Sequence, residues 1–146
     1  MLAGSGGLPA DLLRSLSPDV EVRREYVPDE EVAELMQRAG LVVVPYAAAT
    51  QSGVIAIAIA FGRPVIATSV GGLSEMVTHG KTGLLVPPHD VAALARAMRT
   101  LMTNPDLRRR MGRAALRLGR ATLGWNRVAS MHVEVYSEVL REHANR

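Results

Sequence analysis

Cysteine is absent from the 146 residues, which excludes disulfides and thiolate metal sites. Aromatic residues are scarce at 3%, and Lys81 is the only lysine, so arginine carries the basic charge. No apolar run reaches the ~18 residues that a membrane-spanning helix needs. Residues 1–13 lack the basic start and cleavage pattern of a signal peptide. The expected location is therefore cytoplasmic by default, or peripheral at the inner membrane face. His79, His89, His132 and His143 have no metal-ligand spacing, and no metal is implied. His132, at helical spacing, is expected to be partly packed. No Gly-x-Ser-x-Gly surrounds Ser52, so a serine hydrolase has no support.

What remains is a globular composition, 48% hydrophobic, of a length that suits one domain, residues 1–146, with a real core. Net charge is +3, from 17 basic and 14 acidic residues. Arg108, Arg109, Arg110, Arg113, Arg117 and Arg120 form a basic helical stretch. A nucleic-acid partner would need aromatic or groove-reading elements as well, so none is expected. A solvated helix face, or contact with an acidic membrane surface, fits the stretch better.

Short β-branched runs alternate with helical patterns along the chain. Strands are expected at Met1–Gly4, Val20–Tyr26, Leu41–Pro45, Pro64–Thr68 and Thr82–Pro88. Helices are expected at Leu8–Leu16, from Pro28 to Ala39, from Leu73 to Thr78, from an Asp90 cap through Thr103, from Asp106 onward after an Asn104-Pro105 break, and at about 125–142. Strands of four or five residues alternating with helices imply βαβ units and a parallel sheet. The segment "SGVIAIAIAFG" alternates isoleucine with alanine as a strand would. It lies between "LVVVP" and "PVIAT", two strands that must run parallel, and parallel neighbours need a crossover. Ser52 to Phe61 is therefore expected to be a buried helix, with Gly62 as its left-handed stop.

That helix opens beyond the C-terminal end of a central strand, where open α/β sheets bind ligands. Free N–H groups at Ser52, Gly53 and Val54, with the helix dipole, suit a phosphate. The other reading is that Thr50 or Ser52 merely caps the helix, and the local sequence does not choose. Two weaker candidates also follow strands. The Gly4-Ser5-Gly6 turn is a lone G-x-G, with Pro9 where a dinucleotide fingerprint has its third glycine. In Gly71-Gly72-Leu73-Ser74-Glu75, Glu75 is a buried carboxylate receiving helix N–H bonds, a ligand contact, or a structural cap. "GKT" at Gly80–Thr82 is not a P-loop: Glu75 stands where its glycine belongs, and a strand follows rather than a helix.

Taken together, "LVVVPY", "SGV", "GRPVIAT", "VGGL" and "GKTGLLVPP" resemble the C-terminal, donor-binding half of the group 1 retaining GT-B glycosyltransferases. The likeness runs from "LAGSGG" to the helix at Trp125–Tyr136. It implies an α/β fold: a Rossmann-like open parallel sheet with helices on both faces, lacking the family's first strand. It implies that the Ser52–Val54 amides face a donor diphosphate, and that Gly4–Gly6 and the segment around Val27 lie near the nucleoside. The partners implied are a nucleotide sugar, as substrate rather than cofactor, and a separate N-terminal acceptor domain or partner chain.

Departures from the family pattern fall at the site itself. The family usually carries two glutamates eight positions apart around this helix, one near the transferred sugar and one gripping the ribose hydroxyls. Counting back from Gly62-Arg63-Pro64, those places hold Ala49 and Ile57, which accept no hydrogen bond through a side chain. The family's upstream strand, arginine and lysine are also not in this sequence. The expectation is thus an inactive isolated domain. A non-catalytic glycosyltransferase-like interaction module is the alternative, and another kind of nucleotide-binding α/β protein is the weaker one. In the strand order 3-2-1-4-5-6, Met1–Gly4 would be strand 2 and Leu41–Pro45 strand 4. The gap between them is expected to close by self-association with a second copy, in preference to direct pairing of the two strands.

Overall fold

A computed structural model describes residues 1–3, 9–122 and 124–144. The described chain divides into two compact units, Met1–Arg38 and Ala39–Arg146. In the first, β1 (Leu2–Ala3) pairs in parallel with β2 (Val22–Arg23), accompanied by helices α1 (Ala10–Ser15) and α2 (Asp29–Arg38). The expected strand at Val20–Tyr26 shrinks to two residues. Arg23, the second residue of β2, bonds Glu21 at 2.7 Å and ion-pairs with Glu31 of α2. The Arg23 hydrogen bond holds the Glu21 carboxyl below its ordinary range. That contribution is present above the ordinary carboxylate pKa and fades as pH falls through the lowered value. With Glu21 solvent-exposed, the effect on stability is small.

The second unit holds the parallel sheet. β3 (Val42–Val44), β4 (Val65–Thr68) and β5 (Gly83–Val86) pair in the order β3-β4-β5. β4 is central and every residue of it is buried, as a β-branched run with no polar face requires. Ile66 packs with Val86, and with Ala97 and Leu101 of α5 (Val91–Thr103) and Met111 of α6 (Pro105–Thr122). Asp90 caps α5 as expected, its carboxylate accepting from the Ala93 N–H at 2.7 Å. The break at Asn104-Pro105 is sharper than expected. Asn104 accepts from the Leu107 N–H at 2.9 Å, and α6 begins on Pro105, whose missing N–H costs nothing at a first helical position.

Between β3 and β4 runs α3 (Gly53–Ala60), so topology does override the isoleucine alternation. Gly62, at φ +64°, ends it in the left-handed region. The helix is not wholly buried, which corrects the sequence reading. Ile55, Ala58 and Ile59 face the core, while Val54 and Ile57 are 39% and 36% exposed. The remaining helices are the four-residue α4 (Leu73–Met76) and α7 (Trp125–Ala144). His132 on α7 is exposed rather than packed, against the sequence reading. Its ring lies 6.2 Å from that of Tyr136. Among the described residues no helix is long and apolar enough to cross a membrane.

The observed pairings match positions 2 and 3, and 4, 5 and 6, of the doubly wound order. The described strands form two sheets, one in each unit. β1 pairs only with β2 there, and β3 only with β4.

Candidate functional site

Ser52 is the N-cap of α3. It is 5% exposed and extended (φ −143°, ψ 113°), and its hydroxyl oxygen accepts from the Ile55 N–H at 3.3 Å. The cap therefore exists, but it uses only an acceptor lone pair. The hydroxyl proton stays available to a ligand oxygen. Capping and anion binding, rivals in the sequence, are compatible in the structure. The Ser52, Gly53 and Val54 N–H groups have no acceptor among the described residues, as the first amides of a helix normally do not. Gly53 and Val54 are exposed. A Cβ added at Gly53 would meet nothing within 4 Å, so the space beside this first residue of α3 is empty of protein. α3 carries no acidic residue in its first turn to neutralise the dipole internally.

The loop from β3 into α3 is held by the end of β4. The Thr68 hydroxyl donates to the Tyr46 carbonyl at 2.6 Å. Beyond it, the Gly71-Gly72 turn lies flat against the same loop. A Cβ at Gly71 would stand 2.1 Å from the Ala49 oxygen, and one at Gly72 would stand 2.1 Å from the Thr50 oxygen. Two sequence candidates are thereby joined: the glycine turn is the buttress of the helix N-terminus. Glu75 does not fill the buried role considered for it. It is exposed on α4, so a buried carboxylate gathering helix N–H bonds is not what it is. Ala49 is half-buried and Ile57 partly exposed, and neither offers a hydrogen-bonding side chain.

In the first unit Val27 is half-buried in a cleft of about 500 Å³ that Arg23, Tyr26 and Glu31 also line. Gly4, Ser5 and Gly6 lie outside the described residues. The Lys81-Thr82 pair serves a turn: buried Thr82 accepts the Thr78 N–H at 2.9 Å through its hydroxyl oxygen. Sequence reasoning missed the dependence of the site on Thr68 and Gly71-Gly72. "TSVGG" after a strand was the available signal.

A parallel sheet flanked by helices, with α3 opening past the C-terminal end of β3, is a Rossmann-like α/β arrangement. Solved structures agree. Sucrose-phosphate synthase from Thermosynechococcus elongatus superposes with a TM-score of 0.73 at 33% identity, covering 80% of this chain and 29% of that one. HepE from Anabaena, solved with UDP and glucose, gives 0.68 at 25% identity, covering 73% and 29%. The particular family follows from the sequence: residues 1–104 match the glycosyl transferases group 1, and the chain belongs to that family. D-inositol 3-phosphate glycosyltransferase of Streptomyces avermitilis is 39% identical over 99% of this chain and 32% of its own length. The enzyme of the same name from Pseudarthrobacter chlorophenolicus is 39% identical over 86% and 30%. The chain thus spans about a third of the length of these relatives.

Proposed function

We propose that the chain is the donor-binding part of a glycosyltransferase that moves a sugar from a nucleotide diphosphate with retention. The diphosphate would sit on the Ser52, Gly53 and Val54 amides. The observation that carries this reading is the set of three unpaired N–H groups, with the free Ser52 hydroxyl proton, at the N-terminus of α3, where the space beside Gly53 is empty of protein. Helix dipole and amides together attract a phosphate. The ligands bound in the Anabaena neighbour, UDP among them, support the same choice.

The site as it stands is one-sided. Gly53 and Val54 are exposed, so a ligand there keeps much of its hydration. Binding of UDP or GDP by the isolated chain is accordingly no tighter than roughly millimolar, about 4 kcal/mol. Turnover is expected to be absent, because positioned charge is usually the largest catalytic contribution and no carboxylate stands at Ala49 or Ile57. The check is incubation of the chain with UDP- and GDP-sugars and an acceptor panel that includes D-inositol 3-phosphate. Glycoside above a heat-killed control would contradict this.

Ala49 and Ile57 favour one second reading, a non-catalytic module that keeps the fold and has lost the ligand. Ile57→Glu separates the two. A charge placed on a mainly apolar helix lowers its stability. Ile57 is 36% exposed, so the change gives up a part-buried apolar side chain and costs about 1 kcal/mol. On the donor-binding reading the new carboxylate reaches ribose hydroxyls and tightens UDP binding by about tenfold, the worth of one charged hydrogen bond. No gain in affinity with the fold intact would favour the module.

A further inference from the structure

The end of the second unit opposite the α3 N-terminus carries a cleft of its own, of about 390 Å³. Gly40 leads into β3 and Pro64 leads into β4, so this cleft lies at the N-terminal ends of strands whose C-terminal ends carry Ser52 and the glycine turn. Its floor is backbone. Gly112 of α6 comes so close to Gly62 that a Cβ on it would stand 2.3 Å from the Gly62 carbonyl oxygen. Around that floor stand Arg63, Arg108, Arg109 and Arg113, and no Asp or Glu is among the described residues lining it.

Arg108 and Arg109 each make bonds within the second unit. Arg108 donates to the Leu101 and Met102 carbonyls at 2.6 and 2.9 Å, closing the last turn of α5. Arg109 pairs with Asp106 at 2.5 Å, just outside the lining. Arg113 is exposed, four residues from Arg109 on the same helix face, where like charges repel. Arg63 comes from the loop between α3 and β4, so charge converges from two elements on one concavity. A merely solvated basic face would spread its charges over a convex surface. Guanidinium groups present planar forks matched to phosphate oxygens, and they keep their charge at any working pH.

We propose that this cleft binds a phosphate-bearing anion through Arg113, with Arg63 and Arg109 beside it. The site is separate from the α3 N-terminus and stands whether or not the donor reading does. The ligand is a free phosphate compound or the headgroup of an anionic lipid, and the two arms of the test tell these apart. Amide resonances of the full chain are followed by NMR during titration with inorganic pyrophosphate. Sedimentation with phosphatidylglycerol-containing vesicles is compared with that on phosphatidylcholine alone.

Pyrophosphate is expected to move the Gly40, Gly62 and Gly112 amides. Arg63→Gln with Arg113→Gln weakens this by about tenfold or more, the loss of charged forks from a phosphate. Arg113→Gln alone, at an exposed position that keeps the fold, weakens it several-fold. Arg127→Gln on α7 leaves it unchanged. Gly53→Asp, aimed at the other end of the unit, also leaves these shifts in place. Shifts without sedimentation mean a free phosphate compound, and sedimentation that the double variant abolishes means a headgroup. Cleft amides unmoved by pyrophosphate and vesicles alike, or binding equal in the arginine variants, would overturn the proposal.

Discussion

Gly71→Ala is expected to lower the unfolding free energy by about 2–3 kcal/mol, against about 1 kcal/mol for Gly80→Ala. Both glycines sit at positive φ, +45° and +76°, so an alanine at either bears the left-handed backbone cost. Only Gly71 adds a collision, because its Cβ would stand 2.1 Å from the Ala49 carbonyl oxygen, whereas nothing lies within 4 Å of a Cβ at Gly80. The difference between the two variants therefore isolates the contact between the glycine turn and the loop entering α3. Chemical denaturation measures it. Equal losses would mean that the turn does not buttress the helix N-terminus.

The second large effect is on binding rather than stability. Gly53→Asp puts a carboxylate at the first residue of α3, in space that is empty of protein. The fold should gain about 1 kcal/mol: a negative charge there complements the helix dipole, and a glycine has been removed from a helix. The same carboxylate occupies the place proposed for the diphosphate and repels it. UDP-induced shifts should vanish while the melting temperature rises. A variant that is more stable and no longer binds cannot be explained by misfolding. Binding that survives in Gly53→Asp would show that the diphosphate lies elsewhere.

Much of the second unit was legible because its signals are local. "LVVVP" and "PVIAT" lack a polar face, and β3 and β4 are indeed parallel strands, with β4 wholly buried. The Ser52 cap, the Gly62 stop and the Asp90 cap lie where their side-chain chemistry put them. What was not legible depends on contacts between distant segments. α3 is apolar all round, so no periodicity marks Val54 and Ile57 as its outer face. Nothing near Gly71 announces that its backbone will lie against Ala49, twenty-two positions earlier in the chain. Arg63 and the arginines of α6 read as unrelated solvated charge until the fold gathers them over Gly112.

The central claim is that the N-terminus of α3 holds a nucleotide diphosphate, and residue-resolved NMR of the isotope-labelled chain tests it most directly. UDP, GDP and, as a control, uridine are titrated up to several times the expected dissociation constant of about 1 mM. The account predicts saturable shifts at the Ser52, Gly53 and Val54 amides with a diphosphate and none there with uridine, because the helix end recognises the anion rather than the base. Amides at Ser52–Val54 that stay fixed while either diphosphate is raised to saturating concentration would contradict it.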